Sequence, residues 1–397
     1  MSPSPPPGGS TPSGGPPFSP FDLPPSDGPV NWPVAAGMAR LVASGGEEEQ
    51  EPGQAESERL DSFVRVAELH VVEAGALDPS TLAGPLRGRA VSRREWAARS
   101  LDAHRPLLTA LASALAVPAT GADEGPWEEG PAEDESPVED DPQGRAMAAS
   151  TRGLVFGWML GSLGRRAFGQ YELPLPRPPG NELLLVPSNL AEFASEWRLA
   201  EDDLLLWACL SEVAHHAVLG RPHVRSRLES LLVTYVSAFE VEATAFEAEL
   251  ESIDPADPAS FQSTLGDPEA VVAAVRSPLQ QEVLPHIEAL TAVLAGWVEH
   301  LVAGIGGRLI GSATSVAEAL RRRRVEASWG DRYAAKLLGV GARQPSVERG
   351  AAFVAGVLER GGEERLTRLW ASERTLPTPA EVDAPGLWLA RMELEDA

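Results

Sequence analysis

The sequence predicts a mainly α-helical fold with at most a short strand or two. Three observations carry this. Apolar residues recur at helical spacing over much of the chain, helix-start signals recur ahead of those stretches, and few β signals remain. With 397 residues and 43% hydrophobic content, the chain can bury a sizeable core, and its length suggests two or three domains.

Residues 1–29 are rich in Pro, Gly and Ser, and are expected to be a disordered tail. Residues 30–118 read as a smaller N-terminal helical region. There Phe63, Val66, Ala67 and His70 recur at i, i+3, i+4 and i+7, as one face of a helix would. Ser92-Arg93-Arg94-Glu95 has the form of a capping box opening the next helix, which carries Trp96, Leu101, Leu107 and Leu111. Residues 119–147 are acidic and punctuated by Pro, the composition of a solvated linker. Residues 148–395 read as the main helical domain. Gly153, Gly157 and Gly161 stand at i, i+4 and i+8, a stripe that lets a second helix approach closely. Leu183-Leu184-Leu185-Val186-Pro187 is the clearest strand, and Ser188-Asn189 is expected to cap the helix after it. Further helices are expected near 201–219, 223–250, 278–304, 313–327, 345–360 and 363–372, with no fixed-period repeat.

A formal net charge of -25 argues against nucleic acid and against anionic membranes, since both need clustered Lys and Arg. The run Arg321–Arg324 is expected to be a solvated, salt-bridged helix end. Cys209 is the only cysteine, which excludes an intrachain disulfide, and its apolar neighbours predict a buried structural thiol. The first residues lack a signal-peptide pattern. The longest apolar candidate for a membrane span, Leu154 to Phe168, is broken by three glycines, so a cytoplasmic protein is expected.

The chemistry sits in Leu210-Ser211-Glu212-Val213-Ala214-His215-His216. Zinc peptidases often place two His at i and i+4 on one helix, with a Glu directly after the first. That spacing puts both imidazoles on one face, and the Glu takes a proton from metal-bound water. Here Glu212 and His215 keep their relative positions, and Ser211 stands where the first His would be.

The segment and its surroundings resemble the actinobacterial zincin-like metallopeptidase family, which sometimes carries a deazaflavin-coenzyme-biosynthesis label. Gly28-Pro29-Val30-Asn31-Trp32, Tyr171-Glu172-Leu173-Pro174-Leu175 and Leu185-Val186-Pro187-Ser188-Asn189 are similar to its motifs, as are Leu294-Ala295-Gly296-Trp297-Val298-Glu299, Arg321–Arg324, and Leu337-Leu338-Gly339-Val340 with Leu369-Trp370-Ala371 and Leu376-Pro377-Thr378. The resemblance spans roughly residues 21–390 and implies a zincin-like helical domain. It matches a branch with a degenerate His-Glu-x-x-His.

The resemblance also implies that the third zinc ligand would fall at Ala295, leaving His215 as the one surviving ligand. Zinc at a catalytic site takes three protein ligands plus water. No cofactor is therefore expected, with Glu212 as a vestigial general base and His215 as a vestigial ligand. The expected function is binding or scaffolding, with a peptide or protein partner. The alternative is an active metal-dependent hydrolase that uses Glu212 as base and His215 and Glu299 as zinc ligands. Glu299 is the best substitute because it stands one helical turn after Ala295, about 6 Å along the axis. His216 points about 100° away from His215 on an ideal helix, His223 after Gly220-Arg221-Pro222 is expected to start another helix, and His300 beside Glu299 faces elsewhere. A serine nucleophile at Ser211 with His215 would lack an oxyanion hole and an orienting acid. In a purely structural reading, His215 is a hydrogen-bonded core histidine and Glu212 pairs with an arginine such as Arg221 or Arg225, and the cleft is filled.

Overall fold

A computed structural model describes residues 28–78, 84–116, 142–239, 277–326, 328–341 and 344–396. The first part of the chain forms α1 (Trp32–Ser44), α2 (Gln54–Glu73), β1 (Arg87–Ala90), α3 (Arg93–Ala103), α4 (Arg105–Ala114) and α5 (Pro142–Gly164). Next come β2 (Glu182–Leu185), α6 (Pro187–Trp197), α7 (Glu201–Leu219), α8 (Pro222–Ser237) and the long α9 (Pro278–Leu309). The chain ends with α10 (Ala313–Val325), α11 (Trp329–Leu338), α12 (Gln344–Thr367), α13 (Pro379–Asp383) and α14 (Pro385–Asp396). The mainly α fold is therefore as the sequence predicts. The tail expected over 1–29 lies almost wholly outside the described residues, as does most of the acidic stretch. Its last six residues, 142–147, instead open α5, since Pro is tolerated in a first helical turn and Ala146-Met147-Ala148-Ala149 favour helix.

Helix α1 begins where the Asn31 side chain accepts from the Val34 amide, with Pro33 in the first turn. It lies directly on the glycine stripe of α5. A Cβ at Gly153 would meet the Asn31 carbonyl oxygen at 2.5 Å, and one at Gly161 would meet that of Ala39 at 2.7 Å. The stripe is thus the seat of α1. One continuous buried core runs from Val30 to Met392, so residues 30–116 and 142–396 share it rather than forming separate cores.

Strands β1 and β2 pair in parallel, with Arg87 opposite Glu182 and Ala90 opposite Leu185. Leu183, Leu184 and Leu185 are buried, as the apolar run predicts. The partner β1 was not expected, because Arg87-Gly88-Arg89-Ala90 carries no strand signal. The cap expected from Ser188 and Asn189 is absent. Pro187 itself opens α6, needing no amide partner there. Asn189 is buried instead, where it donates to the carbonyls of Gly164 (3.0 Å) and Ala167 (2.7 Å) and accepts from Arg93 Nε (2.5 Å).

Helix α2 forms as expected, but its buried face is Leu60, Val64, Ala67 and Val71, and Val66 is 43% exposed. Ser92 does cap α3 by accepting from the Glu95 amide at 3.2 Å, while the Glu95 carboxylate turns to Arg99 and Arg89. Helix α9 is long and apolar enough to cross a membrane, contrary to the expectation from Leu154–Phe168. However, 67% of its most apolar stretch is buried against other helices, as befits a core helix. Cys209 is a buried free thiol whose pKa burial pushes up.

Candidate functional site

Helix α7 is apolar on nearly every side: Leu204, Leu205, Leu210, Val213 and Val218 are all buried. A helix of this kind must sit inside the molecule, and its few polar groups need local partners. Glu212 is 6% exposed. Its Oε2 accepts from the Tyr171 amide at 3.1 Å. The carboxyl group lies so close to Gly169 that a Cβ there would meet Glu212 Oε1 at 2.5 Å. Burial raises its pKa to about 8, partly offset by the Tyr171 amide and reinforced by the nearby Glu172. Glu212 is therefore a neutral carboxylic acid at neutral pH.

The loop 165–181 is held over α7 by its own hydrogen bonds. Gly169 bridges to Leu185 of β2, and its carbonyl accepts from Trp96 Nε1 at 2.8 Å. The Phe168 carbonyl accepts from the Val186 amide at 2.9 Å. These contacts set the Tyr171 ring in a stack on His215 with centroids 5.8 Å apart, and bring its hydroxyl to 3.0 Å from His216 Nδ1.

His215 Nδ1 lies 2.8 Å from the Ser211 carbonyl oxygen. A carbonyl only accepts, so Nδ1 carries the hydrogen and Nε2 keeps its lone pair. Burial lowers the ring pKa to about 4, so His215 is neutral at neutral pH. Among the described residues no hydrogen bond joins His215 Nε2 to the Ser211 hydroxyl, so a serine dyad is not formed in this arrangement. His216 is likewise depressed to about 4 by burial. His223 Nε2 meets the Trp370 carbonyl at 3.1 Å, and His300 Nε2 sits 3.5 Å from Glu363. The arginine expected beside Glu212 does not arrive from Arg221, which donates to the carbonyls of Trp370 and Ala76. At that site a backbone amide replaces the salt bridge.

Ser211, Glu212, His215, Ala295 and Glu299 all line one cavity of about 160 Å³, so the cleft is not filled. Leu204, Trp207, Val298 and Val302 give it an apolar wall. The lining also carries a charge network. Arg323 Nη2 donates to Glu172 Oε1 at 2.8 Å, and its guanidinium lies 4.0 Å from the centre of the Phe168 ring. Arg166 Nη1 donates to Asp331 Oδ2 at 3.0 Å. Arg324 Nε donates to Gln344 Oε1 at 3.2 Å, and its Nη2 faces Glu299 Oε2 at 3.2 Å. That contact is an ion pair without hydrogen-bond geometry, so buried Oε2 has no hydrogen-bond partner.

The arginine run is therefore split. Arg321 and Arg322 pair with Glu318 on the surface, as expected of a solvated end, while Arg323 and Arg324 turn into the cleft. Sequence reasoning missed these two, together with Arg166, Asp331 and Thr291. A signal was present: Val316 and Ala319 are buried, and Arg323 continues their face at i+7 and i+4.

A family-implied zinc ion needs three converging protein ligands. Among the described residues, no three His, Cys, Asp or Glu side chains are grouped to hold one. Ser211 and Ala295 offer no imidazole or carboxylate, and Glu299 already faces Arg324. The donor set does not fit a catalytic zinc.

No curated protein sequence matches the chain. The crystal structure of a proposed hydrolase with a novel fold from Chloroflexus aurantiacus is similar to it, with a TM-score of 0.59 and 20% identity over 92% of this chain and 99% of that one. At that identity the likeness speaks for the fold alone. The family model described as zincin-like metallopeptidase matches residues 30–389, and the chain belongs to that family.

Proposed function

We propose that this zincin-like chain has given up zinc-dependent hydrolysis and uses the inherited cleft to bind a ligand, as a binding or scaffolding protein. The observation that carries this reading is the donor set. Ser211 and Ala295 occupy two positions where the resemblance puts ligands, His215 is the one imidazole among the described residues lining the cleft, and Glu299 faces Arg324. Glu212 Oε2 is also already engaged by the Tyr171 amide. One observation favours the alternative of an altered ligand set: Glu212, His215 and Glu299 line the same cavity, and His215 Nε2 is unprotonated. The Arg324 partner weighs against it, because a guanidinium and a zinc ion compete for one carboxylate.

Elemental analysis of purified protein, exposed to zinc and then desalted, separates the two. Well under one equivalent of zinc is expected, unchanged in His215→Ala. One equivalent that disappears in His215→Ala would overturn the reading.

A further inference from the structure

The cleft also carries information on what it binds, given that it is a binding cleft and not a zinc centre. Its cations are committed: Arg166 to Asp331, Arg323 to Glu172, and Arg324 to Gln344 and Glu299. Beside the Ser211 hydroxyl and the protonated Glu212 carboxyl, acceptor capacity is left over. His215 Nε2 keeps a lone pair once Nδ1–H is given to the Ser211 carbonyl. Glu299 has no hydrogen bond to either oxygen from any described residue, and Oε2 is held only by the ion pair. Both groups line one cavity whose lining also includes the apolar side chains of Trp207, Val298 and Val302. At long range a chain of net charge -25 draws cations in and repels anions.

We infer that the cleft binds a small organic cation, an ammonium head on an apolar body. The head takes His215 Nε2 and Glu299 as acceptors, and the body lies along the Trp207 wall. A hydrogen bond from an ammonium to a carboxylate is charge-assisted and stronger than a neutral one.

Calorimetric titration of metal-stripped full chain with n-hexylammonium, hexanoate and hexanol tests this. Hexylammonium is expected to bind at one site, about tenfold or more tighter than hexanoate. Glu299→Gln should weaken hexylammonium by about tenfold and leave hexanol unchanged, since the apolar wall is intact. Arg324→Gln should tighten hexylammonium severalfold by releasing Glu299, whereas an anion site would be weakened by the same change. Ala295→Trp, which fills the cavity, should abolish binding of all three probes. Hexanoate binding as tightly as hexylammonium, indifference to Glu299→Gln, weaker binding in Arg324→Gln, binding that survives Ala295→Trp, or no binding at all would each overturn the inference. Zinc measured in the same preparation before stripping keeps the two failures apart. One equivalent of zinc sinks the earlier reading, and metal-free protein that prefers hexanoate sinks only this one.

Discussion

Glu212 shows how position decides chemistry at the scale of one residue. It keeps its place on the helix of a zinc peptidase site, yet its surroundings hold it as a neutral acid with a pKa of about 8, chiefly through burial. The unfolded chain holds this carboxyl near its ordinary value of 4.5. Between those two pH values the folded state binds the proton and the unfolded state releases it. The group's contribution to stability is therefore full below about 4.5 and is lost as pH rises through about 8. The ceiling on that loss is about 5 kcal/mol, at about 1.4 kcal/mol per pH unit over the span from 4.5 to about 8. Glu212→Gln puts a permanent neutral group of the same shape in the site. Urea unfolding should show the variant close to the native chain at pH 5 and more stable at pH 8.5. A variant less stable at both pH values would show that Glu212 is ionised in the folded protein. Ser211 and Ala295 were legible as departures because a motif with fixed spacing makes a missing residue visible. The partners of Glu212 were not, since the Tyr171 amide reaches it across 41 positions of sequence and backbone groups leave no trace in residue type.

At the scale of elements, backbone contact between helices does the positioning. The face of α9 that carries Thr291, Ala295, Val298 and Val302 is aimed at the cleft, and its neighbour Gly296 faces α12. There a Cβ at Gly350 would overlap the Ala292 carbonyl, and one at Gly296 would overlap the Gly350 backbone. Two helices touch main chain to main chain, with no flexible side chain between them to yield. Gly350→Ala should therefore cost at least the ~1–3 kcal/mol typical of overpacking, read as a lower midpoint in denaturant at unchanged slope. A change under ~0.5 kcal/mol would mean that the crossing is looser than described. The same kind of contact at Gly153, Gly157 and Gly161 could be foreseen, because regular small-residue spacing is a sequence signal. The partner helix α1 could not be named from it. Helix α2 was legible as a helix, but its face was misplaced by one residue. In a segment where Phe63, Val64, Val66, Leu69, Val71 and Val72 crowd nearly every side, periodicity alone cannot choose the stripe. Strand β1 escaped notice because Arg87 and Arg89 point outward, and its identity comes from pairing with β2.

Across the whole molecule, the cleft stands where separate stretches of chain meet. Loop 165–181 brings Tyr171 and Glu172, α7 brings Glu212 and His215, α9 brings Ala295 and Glu299, and α10 brings Arg323 and Arg324. The N-terminal helices belong to the same body. Helix α1 lies against α5, Trp96 of α3 holds the Gly169 carbonyl, and one buried core includes Val30, Trp96, Leu210, Val293 and Met392. Composition had suggested a smaller N-terminal region before an acidic stretch, because low hydrophobicity between helical segments is how a boundary looks in sequence. A shared core has a thermodynamic consequence: losing α1 would strip the glycine face of α5, and losing α3 would release the loop that seats Glu212. Scanning calorimetry should accordingly show one cooperative transition for the full chain, with the calorimetric and van't Hoff enthalpies in agreement. A chain cut within 117–141 should still run as one species in native size exclusion, because residues 30–116 and 142–396 share one buried core. Two separated transitions, or halves that part on the column, would show that residues 30–116 fold and dock as a unit of their own. The loop that seats Glu212 would then be only as firmly placed as that docking.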